Sequence, residues 1–327
     1  MEGSNNMLNY DLIIIGAGIS GMTAALSAAK SGLKKVLLIE REECVGGIVN
    51  QCIHNGFGSK FIGESVTGTE YIQYLKDELS KTKVEILLNT TVLDITVNKT
   101  VMYVNPIDGV KEVTSGAIIF AMGCKERFSG NVDIATNGLT GIFTVGEAQR
   151  IVNIEGYLPG KRVIITAKDK WGFILARRLL IEGGNVVAVV IDSKFEDILD
   201  DEIADIMDGF NIPVVERSKV IHIYGNVRIN NVEVLNLDNK EITNYDCDSV
   251  ILSVGFVPES CKIKKLKIEI DEKTKGPKVR DYKTSVDGFF ACGNIIYGEN
   301  ALKIKDIDGY ECGKKAAEYI NKYLINN

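Results

Sequence analysis

The sequence predicts an α/β fold in which two similar units of strands and helices share one chain. An apolar run at residues 12–15 is followed at once by glycines and then by an Ala-rich segment at residues 22–31. The same order of strand, loop, helix, glycine stop and strand recurs at residues 163–191. Buried apolar runs that alternate with helical segments are typical of parallel sheets covered by helices.

The repeat predicts two Rossmann-like, three-layer units, the second inserted into the first. Apolar strands at residues 117–121 and 246–254 lead to glycines in the same way, and a closing helix follows at residues 309–324. We therefore assign residues 1–126 and 249–327 to the first unit. Residues 127–248 form the second unit, which is an internal duplication rather than a solenoid repeat.

The first unit carries a glycine pattern that predicts a dinucleotide site. Gly16 permits the tight turn out of the strand, Gly18 lets a diphosphate approach the backbone, and Gly21 lets the helix lie close to the sheet. The helix N-terminus presents free amides and a partial positive charge. Glu40 ends the next strand, where a carboxylate binds the ribose 2′-hydroxyl and disfavours a 2′-phosphate. FAD or NAD(H) is therefore expected here rather than NADPH.

Composition excludes several classes of function. The chain has 327 residues, of which 25% are charged, and a net charge of -6 without a long basic run. Neither a nucleic-acid partner nor a membrane span is expected. The seven cysteines form no C-x-x-C pair and their number is odd, which argues against a disulfide scaffold, a metal site and a redox dithiol. That usage suits a cytoplasmic protein.

Three motifs carry a resemblance to a known family. They are GGIVNQCIHNGFG at residues 46–58, TGIFTVGEAQRIVNIEGYLPGKR at residues 140–162 and FACGN at residues 290–294. With the glycine pattern, the chain resembles the flavoproteins with two dinucleotide-binding domains, of which thioredoxin reductase is the simplest. Within them it looks like the small FAD/NAD oxidoreductases associated with glycerol-3-phosphate and opine-type dehydrogenase systems.

The resemblance implies that FAD binds in the first unit. The diphosphate would lie at the glycines, the adenosine ribose at Glu40, the adenine at the backbone of Val92 and the ribityl chain near Gly293. The N-terminus of the last helix, near Ile307, would face the flavin pyrimidine ring. The residues implied to contact FAD are Gly16, Gly18, Gly21, Glu40, Arg41, Gly47, Ile48, Val92, Ala121, Gly123, Gly293, Asn294 and Ile307.

Two departures from the family pattern limit the expected chemistry. Residues 144–147 read TVGE where thioredoxin reductases carry C-x-x-C, and residues 49–51 lack the paired cysteines of glutathione-type reductases, so disulfide reduction is not expected. The second unit reads AKDKWG at residues 167–172 where G-x-G-x-x-G would stand. Asp169 puts a side chain and a negative charge where a pyrophosphate needs bare backbone. We therefore predict weak or absent NAD(P)H binding there.

Few side chains are available for acid–base or thiol chemistry at the flavin. His54 lies in the glycine-rich loop and is a candidate catalytic or flavin-contacting residue, although a loop histidine bonded to backbone is the alternative. Cys52 is the second candidate, although a lone cysteine is more often a small buried hydrophobe.

Three functional hypotheses follow. The first is an FAD-dependent oxidoreductase that relays electron pairs as a subunit of a multi-component electron-transfer enzyme. The second is a free-standing flavoprotein that has lost NAD(P)H binding and takes electrons from ferredoxin or a small substrate. The third is an assembly subunit with structural FAD. A homodimer or a hetero-oligomer is expected, with a redox protein or a small-molecule donor or acceptor as partner.

Overall fold

The computed structural model describes residues 8–128, 138–298 and 307–325. The chain divides into two compact units, one formed by Met1–Lys125 with Val257–Asn327 and the other by Glu126–Phe256. The second crossing between the units lies later than the predicted boundary after residue 248. The reason is that the strand Ser249–Ser253 pairs within the sheet of the second unit.

The elements of the chain fall into three segments. Before the first crossing the chain forms β1 (Leu8–Ile15), α1 (Ile19–Lys30), β2 (Val36–Ile39), a 3₁₀ helix (Gly47–Gln51), β3 (Asn55–Phe57), β4 (Val66–Thr67), α2 (Gly68–Ser80), β5 (Glu85–Leu87), β6 (Thr91–Ile95), β7 (Thr100–Asn105), β8 (Gly109–Phe120) and β9 (Cys124–Glu126). The second unit then forms β10 (Ile142–Thr144), α3 (Val145–Asn153), β11 (Arg162–Ala167), α4 (Lys170–Ile181), β12 (Asn185–Val190), α5 (Phe195–Ile198), α6 (Asp201–Met207), β13 (Val214–Val215), β14 (Ser218–Gly225), β15 (Ile229–Asn236), β16 (Ile242–Asp246) and β17 (Ser249–Ser253). The last segment forms β18 (Phe256–Pro258), α7 (Cys261–Lys264), β19 (Phe289–Ala291), α8 (Asn294–Tyr297) and α9 (Ile307–Ile325).

The sheet of the first unit brings four strand ends to one edge. The parallel part of the sheet has the order β5-β2-β1-β8, and β19 pairs in parallel with the end of β8. The first half of β8 pairs with β7 in the antiparallel direction, and β6 lies beyond β7. Ile15 at the end of β1 pairs with Ile39 of β2 and with Phe120 of β8, and Phe120 also pairs with Ala291 of β19. Ligands of open α/β sheets bind outside such carboxyl ends.

Helices α1 and α9 pack unusually closely on one face of this sheet. A Cβ added at Gly309 would overlap the carbonyl oxygen of Ser20, and one at Gly313 would overlap that of Ala24. The two glycines of α9 thus allow its backbone to touch that of α1. Because Gly309 meets the first turn of α1, the N-termini of both helices lie at the same edge of the sheet.

The second unit repeats the plan of the first with a shorter sheet. Its parallel sheet has the order β10-β17-β11-β12-β13, and β11, α4 and β12 repeat the strand–helix–strand order of β1, α1 and β2. A three-stranded antiparallel sheet, β14-β15-β16, completes the unit. The predicted α/β fold with two Rossmann-like units is confirmed. None of the helices formed by the described residues is long and apolar enough to cross a lipid bilayer.

Candidate flavin nucleotide site

The turn between β1 and α1 requires glycine at two positions. Gly16 has φ +99, and a Cβ there would lie 2.5 Å from the carbonyl oxygen of Ala121. A Cβ at Gly21 would overlap the carbonyl oxygen of Gly16. Both positions therefore exclude larger residues for reasons of backbone packing, and the turn brings the start of α1 directly over the end of β1.

The N-terminus of α1 is left open for an anion. Gly18 is its N-cap, makes no side-chain cap hydrogen bond, and has open space where a Cβ would be. The first turn of α1 contains no acidic residue. The first amides of α1 and the positive end of its helix dipole are therefore not capped by a side chain, which is the arrangement that a diphosphate requires.

Glu40 is a buried carboxylate that the same turn holds in place. Its side chain is 7% exposed, and it accepts hydrogen bonds from the amides of Ala17 at 2.7 Å and Glu42 at 3.1 Å. Two charge-assisted bonds orient the carboxylate and leave it further acceptor capacity for ribose hydroxyls. Val92 lies in the same neighbourhood, because the amide of Thr90 donates to the Glu40 carbonyl at 2.8 Å.

The loop that follows β2 folds back over the glycine turn. The amide of Gly46 donates to the carbonyl of Ala17 at 2.7 Å, and Gly18 and Gly46 form an isolated parallel bridge. Gly47 has φ +56, and a Cβ there would come within 3.3 Å of the Gly18 Cα. The next side chain, Ile48, is 53% exposed. An exposed apolar side chain beside the glycine turn is well suited to cover an aromatic ring.

The other side of the site is built from the ends of β8 and β19. The amide of Ala121 donates to the Ile15 carbonyl at 2.9 Å, and Gly123 turns the chain with φ +68. Gly293 has φ +77, and a Cβ there would overlap the Ser20 hydroxyl oxygen in the first turn of α1. Asn294 begins α8 directly afterwards. These residues and the glycine turn therefore meet at one edge of the sheet.

Arg41 is held by a residue that the sequence did not single out. Arg41 Nη1 lies 3.9 Å from Glu259 and Nε lies 3.3 Å from Glu42, while Lys125 pairs with Glu259 at 2.6 Å. The Glu259 amide also donates to the Gly123 carbonyl at 3.1 Å. Glu259 thus links Arg41 to the segment after β8. Ile307 is the first residue of α9, two residues before Gly309, which packs on the first turn of α1.

The two candidate catalytic residues differ in environment. Cys52 is 2% exposed, its thiol lies 3.6 Å from the Ile48 carbonyl, and burial raises its pKa to about 12. It is therefore a neutral thiol at physiological pH, unlike a nucleophilic or redox-active cysteine. The His54 ring is partly buried and lies 5.5 Å from the Phe57 ring.

The corresponding place in the second unit is closed by a side chain. Asp169 is the N-cap of α4, and its Oδ1 accepts hydrogen bonds from the Trp171 amide at 3.1 Å and from the Ser253 hydroxyl at 3.0 Å. Burial raises the pKa of this carboxyl group. A Cβ at Gly172 would lie 2.6 Å from the Ala167 Cβ, so close packing of helix on strand is retained.

A family comparison agrees with this geometry. A model of the pyridine nucleotide-disulphide oxidoreductases matches residues 10–308. The chain belongs to this family. Members of the pyridine nucleotide-disulphide oxidoreductases use FAD, and the prediction of an FAD-dependent oxidoreductase is confirmed at this level.

Individual known proteins resemble the chain over different lengths. Thioredoxin reductase of Aquifex aeolicus is 25% identical over 320 residues, covering 96% of this chain and 93% of the relative. An opine oxidase subunit of Agrobacterium tumefaciens is 27% identical over 183 residues, covering 53% of this chain and 35% of the relative. A solved thioredoxin reductase of T. acidophilum has a TM-score of 0.75 at 20% identity, over 97% of this chain and 99% of that one, which shows a common fold.

Two neighbouring carboxyl groups, those of Glu126 and Glu147, lie at the start of α3. Thr144 caps α3 and forms a reciprocal capping box with Glu147. Glu126 accepts hydrogen bonds from the Thr144 hydroxyl at 2.6 Å and from the Gly146 amide at 2.7 Å, and burial raises its pKa. No short motif marks Glu126, so sequence reasoning missed it.

Proposed function

We propose that this chain is an FAD-dependent oxidoreductase that relays electron pairs as one subunit of a multi-component electron-transfer enzyme, and that its second unit does not take NAD(P)H in the usual pose. The observation that carries the proposal is the contrast between the open N-terminus of α1 and the N-terminus of α4, which the Asp169 carboxylate caps. A diphosphate fits the first place and is repelled from the second.

Asp169 opposes a nicotinamide nucleotide in three ways. Its carboxylate already accepts a free amide of α4, which a phosphate would otherwise use. Its negative charge opposes the charge of a pyrophosphate, and the hydrogen bond from Ser253 holds it in that position. The strand β12 is also followed by Ile191, where a ribose-binding acid would be expected, and Asp192 comes one residue later.

The first unit supplies the parts of an FAD site. Gly18 and the first amides of α1 would bind the diphosphate, Glu40 would accept the adenosine ribose hydroxyls, and the Val92 backbone would meet the adenine. Gly47 and Ile48 would flank the flavin, with Gly293 and Asn294 along the ribityl chain. Bound FAD supplies the electron-pair chemistry, while the chain orients it and limits its access to water. His54 is our candidate for a flavin-contacting donor, and the buried Cys52 side chain packs within the same loop.

The chain lacks the chemistry for disulfide reduction. Thiol–disulfide exchange needs an accessible thiolate and a resolving cysteine nearby. The seven cysteines all lie in the described ranges and form no disulfide, residues 144–147 contain none, and Cys52 is buried with a raised pKa. We therefore propose that the thioredoxin reductase frame here serves an acceptor other than a disulfide.

A protein partner is the proposed source or acceptor of electrons. One relative is named as part of an opine oxidase, and that relationship supports a role within a larger complex. Cysteines held as thiols suit a cytoplasmic location. If the partner is instead ferredoxin or a small substrate, the same flavin site operates without a companion subunit.

An anaerobic titration of the purified, FAD-loaded chain tests the proposal. We expect the flavin absorbance to persist when NADH and then NADPH are added, and to bleach with a reduced partner protein, reduced ferredoxin or dithionite. The variant Asp169→Gly restores bare backbone and should be reduced faster by NADH than the wild type. Ser253→Ala removes a hydrogen bond but keeps the carboxylate, so it should remain slow. Rapid, stoichiometric bleaching of the wild type by either nucleotide would disprove the proposal for the second unit.

A further inference from the structure

Asp308 is a buried carboxyl group in the first turn of α9. It is 4% exposed, and each of its oxygens accepts a tyrosine hydroxyl: Oδ1 from Tyr282 at 3.4 Å and Oδ2 from Tyr297. A buried charge is costly unless it is hydrogen-bonded. Acceptance on both oxygens is the pattern of an ionised carboxylate, because a protonated acid would have to donate from one of them.

The side chains packed around Asp308 are two tyrosine hydroxyls and two thiols. Burial, reinforced by Asp308 itself, raises the pKa of the Tyr282 and Tyr297 hydroxyls. Burial also raises the pKa of the Cys312 thiol, which is hydrogen-bonded to the equally buried Cys292. Asp308 is therefore the one carboxylate of this five-residue cluster.

The cluster lies behind the flavin half of the proposed site. Gly309, next to Asp308, packs on Ser20, and Gly293 packs on the Ser20 side chain as well. In the sheet, Glu40 follows β2 on one side of β1, whereas β19 lies beyond β8 on the other side. A dinucleotide with its ribose at Glu40 and its diphosphate at Gly18 therefore extends its second half toward β19 and the start of α9.

We propose that Asp308 lowers the reduction potential of the bound flavin by offsetting the positive end of α9. The N-terminus of a helix favours nearby negative charge, and reduction adds electron density and negative charge to the flavin. A buried carboxylate in the first turn removes that advantage and makes the reduced flavin a stronger electron donor. Asp308 acts on the flavin through its charge and need not touch the cofactor. The inference rests on the proposed placement of FAD in the first unit.

The reduction potential of the FAD-loaded protein tests this inference. In Asp308→Asn, titrated with dithionite beside a reference dye, we expect the equilibrium constant for reduction to rise about tenfold, which is about 30 mV for a two-electron couple. Glu311→Gln is the matched control, since it removes a charge from the same helix at a partly exposed position. Screening there should limit the change to about twofold or less.

The outcomes separate the inference from the proposed function. Equal shifts in the two variants, no shift, or a lower potential in Asp308→Asn would overturn the role of Asp308. If Asp308→Asn does not retain FAD, Asp308→Ser removes the charge with a smaller side chain and should give the same rise. Loss of FAD in both variants would show that Asp308 maintains the fold instead. A wild-type protein that binds no FAD would contradict the placement of the cofactor, irrespective of Asp308.

Discussion

Helices α1 and α4 occupy the same place in their two units, yet their N-termini differ in what faces the free amides. At α1 the N-cap is Gly18, with open space in front of it, whereas at α4 it is Asp169, whose carboxylate accepts the Trp171 amide. Both helices still lie close to their strands. The comparison shows that the two strand–helix units keep the same packing. A single side chain, that of the N-cap, determines whether the amides and dipole of the helix are available to a ligand.

The largest effect is expected when the N-cap of α1 is changed to the residue found at the N-cap of α4. Gly18→Asp should fold, because the Cβ meets open space, and its carboxylate should occupy the diphosphate place. Losing hydrogen bonds to a charged group costs about 3 kcal/mol, so we expect FAD affinity to fall on the order of 100-fold.

Flavin content after purification and the dissociation constant from fluorescence quenching measure this change. Gly18→Ala adds the Cβ without a charge and should lose less affinity. Equal losses in the alanine and aspartate variants would show that volume, and not charge, governs the site.

Gly21 of α1 and Gly172 of α4, the glycines at which each helix packs closely on the segment before it, offer a second comparison. A Cβ at Gly21 would overlap the Gly16 carbonyl oxygen, whereas a Cβ at Gly172 would meet the Ala167 Cβ at 2.6 Å. Overpacking costs typically about 1–3 kcal/mol, and we expect Gly21→Ala at the upper end and Gly172→Ala lower. Chemical denaturation measures both free energies of unfolding.

A double variant tests the physical cause at the second position. Because the clash at residue 172 is with a side chain, Ala167→Gly should recover part of the loss caused by Gly172→Ala. No recovery would mean that the neighbouring Ile165 side chain, 3.4 Å from the added Cβ, sets the cost.

Removing the cap of α4 should have a moderate effect. Asp169→Ala leaves the Trp171 amide without its carboxylate acceptor, and loss of an N-cap typically costs about 1 kcal/mol. Thermal or urea unfolding would show it. Asp200→Ala at the N-cap of α6, where the carboxylate accepts the Ile203 amide at 2.8 Å, is the matched control. A larger loss for Asp169→Ala is expected, since it also removes the acceptor of the Ser253 hydroxyl.

The smallest effect concerns pH. Burial raises the pKa of Asp169 in the folded state, so its contribution to stability is full below the ordinary Asp pKa of about 4 and is lost as pH rises through the raised value. Asp169→Asn keeps an acceptor for the cap but cannot ionise. We expect equal stability of the two proteins in acid and a greater stability of the variant near neutrality, with the difference appearing as pH rises through the raised pKa.

Urea unfolding at a series of pH values would reveal this gain. Asp200→Asn, at an exposed N-cap, serves as the control. An equal gain in stability there would mean that the effect is common to N-cap aspartates and does not come from the burial of Asp169. A variant that is less stable than the wild type at neutral pH would contradict the raised pKa.

Local patterns determined much of this protein from the sequence alone. The order of strand, glycines and helix, the roles of Gly16 and Gly21, and the carboxylate at the start of α4 all depend on residues within one or two helical turns. Their physical constraints act between near neighbours, so they can be read from the sequence. The family motifs likewise predicted the α/β fold and an FAD-dependent oxidoreductase, both of which are confirmed.

Only the tertiary structure decided which distant groups meet. Ser253 donates to Asp169 across 84 residues, Glu259 reaches Arg41, and Asp308 accepts the hydroxyl of Tyr282 from a loop and that of Tyr297 from the end of α8. The second crossing between the units was misplaced for the same reason, because the apolar run of β17 fits a central strand of either sheet and only its pairing with β11 assigns it. Residues far apart in the chain meet only when the fold brings their strands and helices together. The spacing of residues in the sequence therefore does not predict these contacts.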